Sequence, residues 1–295
     1  MDYRDEVFLA VAENLSFSKA AEALFISQPA VTKHIKELES KLNSALFERK
    51  GNKVYLTKAG KLGYLHLKQI KQQYRELEFE LSRLNDDYKG SLRLGASSTI
   101  SQYLIPSVLA AFHQRFPQIK LDLFNGNSFS MEQKLLNQEI DLALVENDSS
   151  QSNIRYLDFL EDEIVVVSGA NSVYGKRKNL SLADLQQIPI VLRERGSGTL
   201  EVIQHALKKD KIELDKLNIL IHLGSTEAIK NFLVNFEGIG FVSEKAIDKE
   251  LQLKTIVCLN IKELTISRKL RIAIRQGPGN STQQLFLNFL MQYQF

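Results

Sequence analysis

Phe17-Ser18-Lys19-Ala20-Ala21-Glu22-Ala23-Leu24-Phe25-Ile26-Ser27-Gln28-Pro29-Ala30-Val31-Thr32 contains two helix starts. Ser16 or Ser18 supplies an N-cap hydroxyl ahead of the alanine-rich stretch Ala20, Ala21, Ala23 and Leu24. Ser27 caps a second helix, and Pro29 suits its first turn, where a missing N–H is no loss. That helix runs on through Val31, Ile35, Leu38 and Leu42, with Thr32, Lys33 and Lys36 on other faces. Asn43 tolerates a left-handed backbone and ends it. Ahead of the pair, Val7, Phe8, Ala10 and Val11 form another apolar stripe at helical spacing. Behind it, Phe47-Glu48-Arg49, a Lys50-Gly51-Asn52 turn and Val54-Tyr55-Leu56 predict a hairpin. Two helices meeting at Phe25-Ile26-Ser27 with a hairpin behind them predict a winged helix-turn-helix.

In such a unit the second helix enters the major groove of DNA by its amino-terminal residues. Here these are Ser27, Gln28, Pro29 and Thr32, followed by Lys33 and Lys36. Glutamine pairs bidentately with adenine, serine and threonine reach bases or phosphates, and Pro29 with Ala30 can pack on a thymine methyl. Ser18, Lys19, Arg49 and Lys53 add contacts from the preceding helix and the wing. Charge agrees: from Lys19 to Arg75 there are twelve basic residues and four acidic ones, +8, leaving −5 for the remainder of a chain of net charge +3. A basic block on a mildly acidic remainder is the footprint of a nucleic-acid-binding module joined to something else. A solvated basic face would give the same count, so charge alone does not decide.

From Lys58 to about Asp87 the pattern is one long helix. Leu67, Ile70, Tyr74, Leu77, Leu81 and Leu84 form an a/d seam that suits pairing with a second copy, or packing on its own domain. Lys89-Gly90-Ser91 marks a hinge. Beyond it strands alternate with helices: Leu92 to Gly95, Ile119 to Phe124, Asp141 to Val145, Ile164 to Val167, Ile190 to Arg193, Leu217 to His222, Gly240 to Val242 and Lys269 to Arg275. Repeated βα units predict an α/β fold with parallel sheet, as one large domain or two smaller ones.

Hydroxyl and glycine residues cluster just past the strand ends: Ser97-Ser98-Thr99, Asn125-Gly126-Asn127-Ser128, Gly196-Ser197-Gly198-Thr199 and Ser225-Thr226. Each is an ordinary N-cap or, together, the rim of an anion site at helix amino termini. The five histidines are scattered with no metal-ligand spacing. Gly196-Ser197-Gly198 lacks the spacing of a nucleophile elbow, and no P-loop or dinucleotide fingerprint occurs. No enzyme activity, cofactor or metal is expected. No apolar run nears bilayer length, the amino terminus carries Asp2, Arg4, Asp5 and Glu6 rather than a leader, and Cys258 is the only cysteine. A cytoplasmic protein without a membrane partner is expected.

Read as one string, Phe17 to Thr32 resembles the LysR-type transcriptional regulators. The likeness continues through Ile35, Leu38-Glu39, Leu46-Phe47, Arg49, Leu56-Thr57 and Ala59-Gly60. Asn43 stands where the family usually has glycine, and both accept the same backbone region. The resemblance implies an α/β chain with an N-terminal all-α winged helix-turn-helix (1–57) and a long linker and dimerisation helix (58–89). A two-lobed periplasmic-binding-protein-like effector domain (90–295) follows. Lobe I takes about 91–162 and 269–295 and lobe II about 163–268, with crossovers near Glu161 to Glu163 and Ser267 to Lys269. It implies effector contacts at Ser97, Thr99 and Ser128. Arg193-Glu194-Arg195-Gly196-Ser197-Gly198-Thr199, and Ser97 to Ile100 followed by Tyr103 to Pro106, resemble a CysL-like branch, although Leu200 replaces the basic residue common there. A small anionic effector follows, with Ser98, Glu146, Gly196, Ser197, Thr199 and Thr226 beside it. Arg193 suits an effector counter-charge or an ion pair with Glu146 or Glu194. The expected partners are double-stranded DNA, that effector, further copies in a homodimer or homotetramer, and RNA polymerase.

Overall fold

Side-chain caps start the helices of the amino-terminal unit. Asp2 accepts from the Arg4 N–H before α1 (Tyr3–Asn14), Ser16 from Lys19 before α2 (Phe17–Ala23), and Ser27 from Ala30 before α3 (Gln28–Lys41). Each cap satisfies a backbone donor that a helix start leaves unpaired. The computed structural model describes residues 1–51, 53–84, 88–148, 150–177, 179–262, 264–277 and 280–295, and divides into units 1–87 and 88–295.

In the first unit, Val7, Phe8 and Val11 of α1 meet Ala20 and Ala21 of α2 and Val31, Ile35 and Leu38 of α3 in one core. The alanines let the helices approach closely, and each large buried side chain contributes about 1.5–3 kcal/mol. Asn43 follows α3 with φ 46°. Antiparallel strands β1 (Phe47–Lys50) and β2 (Lys53–Leu56) form the wing, with Phe47 opposite Leu56 and Lys50 opposite Lys53. The expected turn residue Asn52 lies outside the described residues. Glu39 of α3 holds the wing by accepting from the Leu46 and Phe47 N–H groups at 2.7 and 3.3 Å. Thr57 then caps α4 (Lys58–Arg83), a helix of 26 residues. At 1.5 Å per residue it is about 39 Å long. Its expected end near Asp87 lies outside the described residues. The seam residues Ile70, Tyr74, Leu77 and Leu81, and Leu84 just beyond, are all exposed.

The second unit begins with β3 (Gly90–Ser97), a short wide helical turn at Ile100–Leu104, α5 (Ile105–Arg115), β4 (Ile119–Gly126), α6 (Ser128–Leu136) and β5 (Leu142–Val145). β6 (Ile154–Gly169), β7 (Asn179–Leu180), β8 (Ile190–Arg193), α7 (Gly198–Lys209), β9 (Ile219–Leu223), α8 (Thr226–Val234) and β10 (Ile239–Ser243) follow. The chain closes with α9 (Asp248–Leu253), β11 (Ile256–Ile261), β12 (Ile266–Arg275) and α10 (Ser281–Gln292). One sheet runs β4-β3-β5-β12-β6-β10-β8-β9, with β11 also on β6. β3 is parallel to β4 and β5, and β8 to β9 and β10, as βα units require.

The sheet is nonetheless mixed, which corrects the expectation of a parallel one. β6 is antiparallel to β10, β11 and β12, and β12 is antiparallel to β5. The expected strand at 164–167 is only the end of the sixteen-residue β6, and β7 and β11 fall outside the expected strands. β6 and β12 pair from Ile164 with Ile266 to Ile154 with Arg275, so two long strands run side by side between the lobes. α10 returns to pack on the first lobe, where Phe286 meets Phe112 of α5 at 5.1 Å between ring centroids.

Candidate DNA-binding surface and effector cleft

The start of α2, the start of α3 and the wing enclose a groove of about 770 Å³ lined by Ser16, Phe17, Ser18, Gln28, Arg49 and Lys53. Lys19, Ser27, Pro29, Lys33 and Lys36 are exposed, and Thr32 is half-buried. Gln28 and Thr32 lie one turn apart and are already joined: Gln28 Nε2 donates to Thr32 Oγ1 at 3.0 Å, and that hydroxyl donates to the Gln28 carbonyl at 3.1 Å. The contact aligns both side chains on one helix edge before any base is met. The Arg49 guanidinium stacks on Phe17 at 5.5 Å, so a helix side chain fixes the wing's cation. Sequence reasoning gives Glu39 no role, because its wing partners lie seven and eight residues away, beyond helical spacing.

The hydroxyl clusters converge in the second unit. Ser97 closes β3 with Ser98 and Thr99 after it, Ser128 begins α6, Glu146 follows β5, Arg193 ends β8, Gly196-Ser197 precedes α7 and Thr226 begins α8. All lie at or just beyond the carboxyl ends of parallel strands, where open α/β sheets bind ligands. Several contacts cross between the lobes. Arg193 Nη2 donates to Ser98 Oγ and Thr199 Oγ1 donates to Glu146 Oε2, each at 2.7 Å. The Phe129 N–H donates to the Gly196 carbonyl at 3.3 Å, and the Tyr103 hydroxyl donates to Glu227. At Gly198 the lobes leave no room for a side chain: a Cβ there would stand 2.6 Å from the Asn147 nitrogen and 2.8 Å from Ser128 Oγ.

The structure separates these side chains into engaged and available groups. Glu146 is buried and already accepts from Ser97, Thr199 and Arg268, while its own N–H donates to Ser128 Oγ at 3.2 Å. Burial alone would push its carboxyl up, but Arg268, Arg193 and the two hydroxyls outweigh burial and hold it at about 2. Arg268, absent from the sequence-based candidates, also donates from Nε to Asp162 at 2.8 Å. Arg193 is 2% exposed and is ion-paired with Glu194, one of the two carboxylates expected for it, while the other, Glu146, pairs with Arg268 instead. The Thr99 and Ser197 hydroxyls are buried without a hydrogen-bond partner. Ser197 stands at the N-cap of α7 yet makes no capping bond. Orphaned buried hydroxyls are costly unless something completes them.

Comparison with known proteins gives this arrangement its context. Residues 5–61 match the bacterial regulatory helix-turn-helix protein, lysR family, and residues 85–294 match the LysR substrate binding domain. The chain belongs to the LysR family. This LysR-type protein is a transcription regulator with a DNA-binding part and an effector-binding part, as are its relatives, and not an enzyme. It is 35% identical over 271 residues to a probable RuBisCO transcriptional regulator of Thalassiosira pseudonana, covering 90% of this chain and 88% of that one. It is 31% identical to the HTH-type transcriptional regulator CysL of Bacillus subtilis, with the same coverage.

Among solved structures, the Synechocystis PCC6803 CcmR regulatory domain in complex with 2-PG is similar at TM-score 0.62 and 28% identity, over 68% of this chain and 95% of that one. Full-length CbnR complexed with its target DNA has TM-score 0.68 at 19% identity, over 98% of this chain and 99% of that one, a likeness of fold. Among the described residues of this LysR-type regulator, no helix is long and apolar enough to cross a membrane, and no cluster of His, Cys, Asp or Glu could hold a metal ion.

Proposed function

We propose that the regulator reads its operator with Ser27, Gln28, Pro29 and Thr32 in the major groove. Ser18, Lys19, Lys33, Lys36, Arg49 and Lys53 fix it on the phosphate backbone. Its strongest support is the groove that brings Gln28, Arg49 and Lys53 onto one face, since base readout and backbone positioning must act together. Two copies pair through the exposed row from Ile70 to Leu84 on α4, as a homodimer or as half of a homotetramer, so that two recognition helices meet an interrupted inverted repeat. The regulator works in the cytoplasm and meets RNA polymerase at its promoters.

The effector is a small anion held in the cleft between the lobes. Arg193 supplies the counter-charge, with Ser98, Thr99, Ser128, Gly196, Ser197 and Thr226 around it, while Ser97, Glu146 and Thr199 form the floor. The buried hydroxyls of Thr99 and Ser197 support this, and the CcmR domain in complex with 2-PG is a relative that takes a small anion. A ligand binding open and closed cleft with unequal affinity would shift which half-sites are occupied.

Selection of bound sites from random duplex DNA tests the first half. Gln28→Ala and Thr32→Ala should lose sequence discrimination while still pairing in sedimentation runs; discrimination equal to wild type would remove α3 from its role. Thr99→Val and Ser128→Ala should weaken anion binding in titration calorimetry. Unchanged affinity in both would return those residues to helix capping and packing.

A further inference from the structure

Among the described residues three buried cations surround the cleft: Arg193, Lys230 and Arg268. Two are locked. Arg268 lies between Glu146 and Asp162, both themselves buried. Lys230 donates to the Ala246 carbonyl at 2.7 Å and to Glu250 at 2.8 Å, with Glu227 at 2.9 Å. The third is held differently. Arg193 donates from Nε to Glu194 Oε2 at 2.9 Å and from Nη2 to Glu194 Oε1 at 3.1 Å, a two-point grip on one carboxylate. Glu194 is 27% exposed and lies in the loop after β8. Of these carboxylates it alone is both partly exposed and outside any helix or strand, so it can swing away without unpicking the core.

We infer that Glu194 is a tethered stand-in for the effector, occupying the guanidinium edge that the effector's own oxyanion takes when it binds. The inference rests on the anionic-effector reading and names the ligand class that reading leaves open. A carboxylate on the neighbouring residue competes at an effective concentration of millimolar or more. A simple monocarboxylate only exchanges one carboxylate for another and stays excluded at lower concentrations. The ligand that displaces Glu194 must gain something more than Arg193 offers. Two orphaned hydroxyls, those of Thr99 and Ser197, sit on residues next to or near the Arg193–Ser98 contact in sequence. The fitting class is therefore a small oxyanion of two or more negative charges, or a carboxylate carrying a second anionic group, that grips Arg193 with one group and fills those hydroxyls with the other.

Titration calorimetry on the full chain tests this with 2-PG, inorganic phosphate, acetate and, as an uncharged probe, glycolamide. Glu194→Gln should bind 2-PG and phosphate about tenfold more tightly than wild type. Acetate should become detectable in the low millimolar range, with no gain for glycolamide. Glu194→Ala should move the same way, which excludes an effect peculiar to the amide. Arg193→Gln should lose the anions, its thermal transition confirming a folded chain. Equal or weaker anion binding in both Glu194 variants, with binding still lost in Arg193→Gln, would overturn the stand-in role and leave the anionic cleft in place. Anion binding that survives in Arg193→Gln, or is absent from every form, would overturn the cleft reading itself and this inference with it.

Discussion

Replacing Arg268 with methionine should destabilise the second unit far more than its loss of contacts suggests. The guanidinium is the cation for two buried carboxylates, donating to Glu146 and, at 2.8 Å, to Asp162. Methionine fills much of the same volume but strands both charges, and breaking a buried pair costs about 3–5 kcal/mol. At about 2.1 cal/mol/K per residue over roughly 200 residues, the unfolding entropy is ~0.4 kcal/mol/K, so the midpoint should fall by roughly 10 °C. The pH dependence carries the sign. In wild type the Glu146 carboxyl is held at about 2, so its contribution is complete above the ordinary carboxylate value and is lost only as pH falls towards 2. In Arg268→Met, burial without that cation pushes the Glu146 carboxyl up. The folded state then takes up protons more readily than the unfolded one, and the deficit should shrink as pH falls from 7 towards 4.5. A triple variant that adds Glu146→Gln and Asp162→Asn should recover at least half the loss at pH 7, because no buried charge is left unpaired. Thermal unfolding followed by circular dichroism from pH 4.5 to 7.5 measures all three. A single-variant deficit below about 1 kcal/mol at pH 7, or a triple variant no better than the single, would refute the reasoning.

Three further outcomes are expected. Gly60→Ala should cost about 3 kcal/mol in the first unit, since its Cβ would stand 2.0 Å from the Leu46 carbonyl oxygen, which β1 cannot move aside; a midpoint within about 3 °C of wild type would count against that fit. Phe25→Asn should stabilise by up to about 1 kcal/mol, because Phe25 is 95% exposed with φ 54°, a backbone that asparagine adopts more readily; chemical denaturation measures it, and a lower midpoint would contradict it. Each of Lys33→Ala and Lys53→Ala should lower the slope of log affinity against log salt by about 1 without changing the preferred site, whereas an altered site would make that lysine a base-reading residue.

What is legible in the sequence is local. The caps at Ser16 and Ser27 and the left-handed Asn43 are read within a few residues of themselves, and the structure places each as expected. The parallel βα units at β3, β4 and β8 are equally visible, because each strand is a short apolar run between turn signals. β6 is not. Its first ten residues carry the exposed Asp158, Glu161 and Glu163 and the buried Asp162, and it is a strand only because β12 returns beside it more than a hundred residues later. Arg268 escapes notice for the same reason: Glu146 lies 122 residues away in sequence, and no spacing rule reaches that far. Ser97, Ser98, Thr199 and Thr226 stand out from their positions past strand ends, but which of them the protein itself engages is set by side-chain pairing between residues far apart in sequence, within a lobe for Ser97 and Thr226 and across lobes for Ser98 and Thr199.

β6 and β12 stay hydrogen-bonded along the whole stretch between the lobes, with one irregularity at Leu270 and Arg271. A ribbon of that kind resists being prised open like a jaw, because opening would break its ladder, but it twists at little cost about its own length. Ligand-driven change in such a molecule should therefore be torsional, a few degrees of screw accumulated along the ribbon and pivoting where the register slips.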